Sequence, residues 1–100
     1  MNARFNLDEA ALAGFCSRNH ICRLSLFGSV LKGKDQPTSD VDLLVEFVAG
    51  KEPGLLALIG MEAELSALLG GRRVDLRTAR DLSRYFRDEV IRTAELQYAQ

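Results

Sequence analysis

The sequence lacks any apolar run long enough to span a membrane, and it has only two cysteines and one histidine. Cys16 and Cys22 are not spaced like metal ligands, and residues 1–6 are too polar for a secretory signal. We therefore expect a cytoplasmic protein without membrane association, in which both cysteines pack as small hydrophobic residues. The lone His20 follows Asn19 in a predicted loop, where a surface or capping role is more common than catalysis.

The chain also lacks a surplus of positive charge. Its 13 lysines and arginines are balanced by 14 aspartates and glutamates, which gives a net charge of −1. General nucleic-acid binding depends on such a surplus, so we expect no direct nucleic-acid binding. With 47% hydrophobic and 27% charged residues, the composition is ordinary for a globular protein, and 100 residues suffice for one core. We expect a single domain over residues 1–100.

The spacing of the apolar residues predicts a helix, two strands, a helix, a third strand and a final helix, in that order. An N-cap at Asn6 begins the first helix, and Gly70-Gly71 ends the second with a left-handed cap. Thr78 and Asp81 have the spacing that caps a short helical turn. Together these elements indicate a small α/β domain, with a three-stranded mixed sheet flanked by helices. The predicted strands cover residues 21–27, 41–48 and 73–77, and the predicted helices cover residues 6 to about 17–20, 54 or 55 to 69, and 83–98.

A glycine-serine pair follows the first predicted strand at once. Gly28 has no side chain to keep phosphate groups away from the backbone, and Ser29 offers a hydroxyl and an N–H group at the first turn. Lys32 adds positive charge about one turn further on. Taken alone, such a pair is more often a plain turn. If the turn binds phosphate, Gly28, Ser29 and Lys32 are the candidate nucleotide-binding residues.

Three aspartates accompany the predicted strands in a way that folding alone does not favour. Asp40 and Asp42 are two positions apart where the second strand begins, so they point to one face, and Asp75 lies within the third strand. Charge repulsion and desolvation oppose this arrangement unless a divalent cation binds, and hard oxygen ligands suit Mg²⁺. We predict that these three residues are catalytic carboxylates and metal ligands of a phosphoryl-transfer site.

The same aspartates have a purely structural interpretation. Under it, Asp40 caps the preceding loop and Asp42 makes a buried hydrogen bond. Asp75 would then pair with Arg73 or Arg77.

The order Gly28-Ser29, ten residues, then Asp40-Val41-Asp42 resembles the signature of the DNA polymerase beta-like nucleotidyltransferase superfamily. The short chain, the segment Arg-Val-Asp-Leu around Asp75 and the tail over residues 82–99 are similar to the minimal nucleotidyltransferase (MNT) branch of that superfamily. One departure is Lys32, where the family often has arginine. Lysine keeps the charge but loses the bidentate grip on phosphate.

This resemblance implies an antitoxin. Many proteins of the MNT branch are encoded beside a HEPN-domain RNase toxin, which they silence by transferring AMP from ATP to a toxin tyrosine. By the same resemblance, Asp40 and Asp42 hold Mg²⁺, with two ions expected, and Gly28 and Ser29 hold the triphosphate. Asp75 completes the metal site or helps to deprotonate the acceptor hydroxyl.

Two other functions stay open at this stage. The final predicted helix carries Tyr85, Phe86, Leu96 and Tyr98, which is compatible with an antitoxin that neutralises its toxin by binding alone. The second is a nucleotidyltransferase for a small molecule, whose acceptor pocket a chain this short would build only as a homodimer. ATP as the substrate rests on the resemblance alone. Homo- and hetero-oligomers are both compatible with a small sheet that has a thinly covered edge.

Overall fold

The computed structural model describes residues 8–28 and 40–100. Within these ranges the chain forms three α-helices, one 3-10 turn and four strands that make one sheet. The helices are α1 (Glu9–Arg18), α2 (Leu55–Leu68) and α3 (Arg87–Thr93), the strands are β1 (Ile21–Phe27), β2 (Val41–Phe47), β3 (Val74–Arg77) and β4 (Glu95–Ala99), and the 3-10 turn spans Ala79–Asp81.

The sheet is mixed, with the strand order β3-β2-β1-β4. Strands β2 and β3 run parallel, whereas β1 is antiparallel to both β2 and β4. Asp42 is the register partner of Phe27 on β1 and of Asp75 on β3. The predicted α/β fold with a mixed sheet and flanking helices is therefore confirmed, and β1 has the predicted bounds.

One face of the sheet carries the hydrophobic core. Alternate residues of β1 and β2 point to this face, because successive side chains of a strand alternate between its two sides. Helices α1 and α2 cover the face with Phe15, Cys16, Met61 and Leu65. Burial raises the pKa of the Cys16 thiol to about 12, so this cysteine behaves as a small apolar residue, as predicted. The strands contribute Leu24, Leu26, Val41, Leu43, Val45, Val74 and Leu76 to the same cluster.

The opposite face carries the aspartates. Ser25 and Leu44 are buried there, and a cavity of about 80 Å³ beside them is also lined by Ala79 and Ile91. The 3-10 turn and α3 therefore lie over this part of the face. Asp42 lies two positions before Leu44 on the same side of β2, nearer to where that strand begins.

The C-terminal segment differs from the prediction of one helix over residues 83–98. Helix α3 ends at Thr93, and residues 95–99 form β4, which pairs with the free side of β1. The register shifts between Leu24 and Ser25, so Tyr98 reaches the core face while Leu96 lies on the opposite one. This bulge removes the simple alternation by which a strand is recognised in a sequence. The sheet consequently has a fourth strand.

The predicted caps of α2 and of the 3-10 turn are confirmed. After α2, the Gly70 N–H donates to Ala67 O and the Gly71 N–H to Ser66 O, and both glycines have positive φ, which makes a Schellman motif. Thr78 and Asp81 form a capping box.

Helix α1 begins at Glu9, where Asp8 accepts a hydrogen bond from the Ala10 N–H as the N-cap. The predicted cap at Asn6 lies outside the described residues. None of the helices in the described ranges is both long and apolar enough to cross a membrane.

Candidate functional site

Two of the predicted carboxylates lie side by side on the face of the sheet opposite the hydrophobic core. Asp42 and Asp75 are register partners on the parallel strands β2 and β3, so their side chains leave the sheet on the same side. The Val41 N–H donates to Arg73 O at 2.8 Å, which ties the beginning of β2 to the beginning of β3. This backbone pairing places the two carboxylates together.

Asp40 comes directly before β2 and is exposed. It lies two positions before Asp42, on the same side of the chain if the extended backbone continues. Its negative charge acts on Asp42, where it raises the pKa of that carboxyl. The charges of Asp40 and Asp75 therefore both act on the Asp42 carboxyl.

The pKa of the Asp42 carboxyl is raised in the folded protein. Burial raises the pKa of its carboxyl above the ordinary value of 3.8, and the charges of Asp75 and then of Asp40 raise it further. The Arg77 guanidinium opposes these effects. Clustered carboxylates that disfavour their own ionisation are typical of sites that bind a cation.

Arg77 is the partner of Asp75. Its Nη2 donates to Asp75 Oδ2 at 3.0 Å, and both side chains remain partly exposed. The two residues are two positions apart on β3, which places them on the same face. The structural alternative for Asp75 is thus observed as well, because the same carboxylate faces Asp42 and binds an arginine. The spacing Asp-Leu-Arg is the sequence signal for this pairing.

Gly28 ends β1 against Asp42. Its φ is +84°, a conformation that side-chain-bearing residues rarely adopt. A Cβ atom at this position would overlap Asp42 Oδ2 and stand 3.1 Å from Asp42 Cγ. Only glycine leaves room for the Asp42 carboxylate here. The other two candidate nucleotide-binding residues, Ser29 and Lys32, lie outside the described residues.

The donor set at this end of the sheet suits a divalent cation. It supplies carboxylate oxygens, the hard ligands that Mg²⁺ prefers, and it carries more negative charge than Arg77 balances. In the described part of the chain, no three acidic, histidine or cysteine side chains lie close enough together to enclose an ion as they stand. One oxygen of Asp75, Oδ2, is engaged by the Arg77 guanidinium.

Comparisons with known proteins agree on one family. Residues 9–98 match the nucleotidyltransferase domain family. The protein adenylyltransferase homologue MJ0435 of Methanocaldococcus jannaschii is 35% identical over 77 residues, which are 77% of this chain and 80% of that protein. The protein adenylyltransferase MntA of Thermococcus cleftensis is 47% identical over 53 residues, 53% of this chain and 50% of MntA.

Solved structures give the same answer for the fold. A structure assigned to the minimal nucleotidyltransferases has a TM-score of 0.68 at 36% identity, over 90% of this chain and 87% of that one. A toxin-antitoxin complex with AMP-PNP contains a chain with a TM-score of 0.71 at 23% identity, over 94% of this chain and 75% of that one. At that identity, the second likeness shows the fold alone. On the family match, the identity to its relatives and the shared fold, the chain belongs to the nucleotidyltransferase domain family, is similar to its minimal members, and is a nucleotidyl-transferring enzyme.

Proposed function

We propose that the chain transfers AMP from ATP to a tyrosine hydroxyl of a HEPN-type RNase toxin and thereby acts as an antitoxin. The observation that carries this proposal is the pairing of Asp42 with Asp75 across β2 and β3, with Asp40 adjoining and Gly28 leaving space for the Asp42 carboxylate. The relatives at 35% and 47% identity carry the name protein adenylyltransferase, which supports a protein rather than a small molecule as the acceptor.

In this function, Asp40, Asp42 and Asp75 would hold Mg²⁺, and two ions fit the number of carboxylates. When bound, Mg²⁺ supplies charge neutralisation at the phosphates and lowers the pKa of a coordinated hydroxyl. Gly28 opens the backbone to the triphosphate, and Ser29 and Lys32 are the proposed partners of its oxygens.

The transfer forms a bond between the acceptor oxygen and the α-phosphorus of ATP. The bond from that phosphorus to the bridging oxygen of the leaving pyrophosphate breaks, and the hydroxyl proton passes to a carboxylate or to solvent. Asp75 serves as a ligand or as the base in this step. In the structure its Oδ2 accepts a hydrogen bond from Arg77 Nη2.

Label transfer tests the proposal. The chain is incubated with ATP labelled at the α-phosphate, Mg²⁺ and the protein encoded by the neighbouring gene. We expect the label on a tyrosine of that protein, and we expect its loss when Asp40→Asn is combined with Asp42→Asn. Asp88→Asn, an exposed aspartate at the beginning of α3, is the control that should leave transfer unchanged. Transfer that survives the double substitution contradicts the proposal.

Neutralisation by binding alone is the second candidate, favoured by exposed apolar side chains of the C-terminal segment. Tyr85, Phe86 and Leu96 are all exposed, although isolated apolar side chains are common on protein surfaces. If the Asp40→Asn, Asp42→Asn variant still protects cells from the toxin as well as the unmodified chain does, occlusion suffices. If protection is lost while the complex still forms, AMP transfer is required.

A further inference from the structure

Helix α2 is apolar on its outward side as well as on its core side. Met61 and Leu65 are buried in the core, and Leu56 and Ile59 on the far side of the helix are 85% and 52% exposed. At 100° per residue, one continuous outward stripe combines these two with smaller exposed residues. This outward stripe consists of Leu56, Ile59, Gly60, Ala63 and Ala67.

The charged residues of α2 serve contacts within the molecule. Glu62 Oε2 accepts a hydrogen bond from the Leu76 N–H at 2.8 Å, on the edge strand β3. Glu64 Oε2 pairs with Arg18 Nη2 of α1 at 2.8 Å. No charge is therefore left on the outward stripe, although a solvent-facing helix surface normally carries charged residues.

The stripe is sterically complementary to itself. Its large side chains, Leu56 and Ile59, lie towards the N-terminal end of α2, and its small ones, Ala63 and Ala67, lie towards the C-terminal end. In an antiparallel twofold pairing of two α2 helices centred between residues 59 and 60, Leu56 of one helix faces Ala63 of the other and Ile59 faces Gly60. Gly60 lies near the centre of such a pairing, where a missing side chain lets helix backbones approach closely.

We infer that the outward stripe of α2 is the contact surface of a homodimer. A second copy fits better than the acceptor of the proposed reaction, because α2 packs on the core face of the sheet whereas Asp42 and Asp75 lie on the other face. The outward stripe itself carries no charged side chain that self-pairing would have to bury. The dimer leaves both carboxylate sites open, and its formation does not depend on the proposed function.

The length of α2 limits the area of this interface. Fourteen residues span about 21 Å, so α2 alone gives an interface smaller than the roughly 800 Å² per partner of a typical stable complex. We therefore expect a reversible dimer rather than a permanent one.

Sedimentation velocity of the chain alone, without nucleotide or metal, tests the inference. We expect a shift from monomer to dimer as the protein concentration is raised. Leu56→Glu and Ile59→Glu should each weaken the dimer at least tenfold, because each buries a carboxylate in an apolar contact. Ile91→Glu is the matched control, since Ile91 is 51% exposed but lies on the other side of the sheet.

Mixing variants distinguishes pairing in this register from other modes of association. In the antiparallel arrangement, position 56 of one chain faces position 63 of the other. Leu56→Glu and Ala63→Arg chains should each be mostly monomeric alone and should dimerise when mixed. Circular dichroism melts check that each variant is folded. A monomer at every concentration, or a dimer that survives both Leu56→Glu and Ile59→Glu, overturns the inference.

Discussion

At the residue scale, the site depends on the absence of a side chain at Gly28. Its positive φ alone costs an alanine about 1 kcal/mol, and the overlap with Asp42 adds to that cost. Gly50 also has a positive φ, +81°, but a Cβ atom there would meet nothing within 4 Å. Comparing alanine substitutions at the two glycines therefore separates the cost of backbone strain from the cost of displacing the Asp42 carboxylate.

We predict that Gly28→Ala lowers the free energy of unfolding by about 2–3 kcal/mol and that Gly50→Ala lowers it by about 1 kcal/mol. Urea denaturation of both variants measures the difference. Only Gly28→Ala should also weaken metal binding, because only this substitution moves Asp42. Equal losses of stability in the two variants would mean that the contact with Asp42 is unimportant.

We predict that Arg77 competes with a metal ion for Asp75. Its guanidinium binds the Asp75 carboxylate and also acts electrostatically on Asp42. Arg77→Gln should therefore tighten the binding of Mn²⁺ in the absence of nucleotide by about three- to tenfold, as expected for removal of a unit charge beside the ion.

Electron paramagnetic resonance of free Mn²⁺ measures this affinity. Arg23→Gln is a control of the same charge change, because Arg23 is on the sheet face of the carboxylates but pairs with Glu46 at the other end of β1. Unchanged or weaker binding in Arg77→Gln would exclude competition.

Asp42 makes the metal-free fold sensitive to pH. Because its pKa is raised in the folded state, the native protein holds a proton that the unfolded chain releases near 3.8, and stability falls as the pH rises through that window. In EDTA at pH 7, we expect Asp42→Asn to raise the Tm by roughly 2–4 °C. The gain should vanish below pH 3.8, where the carboxyl is protonated in both states. A lower Tm at pH 7 would show that Asp42 stabilises the fold as a carboxylate.

At the element scale, the features that the sequence predicted correctly are those that depend on residues close together in the chain. The bounds of β1, the glycine cap of α2 and the capping box at Thr78 follow from residues within a few positions of one another. Strand β4 does not, because it forms by pairing with β1, about seventy residues earlier in the chain, through a register shift. Its segment keeps helical spacing up to Ala94, so the periodicity favoured a longer helix.

The candidate site divides in the same way. The sequence around each residue predicts that Asp42 lies in β2 and Asp75 in β3. Their alignment as register partners depends on the pairing of two strands that are distant in the sequence. The outward stripe of α2, and the choice of Arg77 rather than Arg73 as the partner of Asp75, required the structure.

The end of α1 offers a test of local backbone strain. His20 has a φ of +58° directly after the C-cap Asn19, and it lies exposed at the surface. His20→Gly should stabilise the protein by about 0.5–1 kcal/mol, because glycine adopts this conformation without strain. Asn19→Gly, at a φ of −104°, should give no such gain in urea denaturation. A loss of stability in His20→Gly would mean that the histidine side chain makes a stabilising contact.

At the scale of the whole molecule, one face of the sheet carries the hydrophobic core and the other carries the carboxylates. The face covered by α1 and α2 holds the chain together, and the opposite face presents Asp42 and Asp75 near the beginning of β2 and β3. The C-terminal segment completes the sheet through β4 and covers the part around Ser25 and Leu44. At the carboxylate end, Asp40 is exposed and Asp42 and Asp75 are partly exposed.

Binding of Mn²⁺ in the presence of ATP tests this account most directly, because it reports on the carboxylates without requiring the acceptor protein. Titration followed by electron paramagnetic resonance should show that the unmodified chain binds the metal together with ATP. Asp42→Asn and Asp75→Asn should each weaken that binding at least tenfold, while Asp88→Asn leaves it unchanged. Metal binding that persists undiminished in both Asp42→Asn and Asp75→Asn would contradict the assignment of these residues as the metal-binding centre.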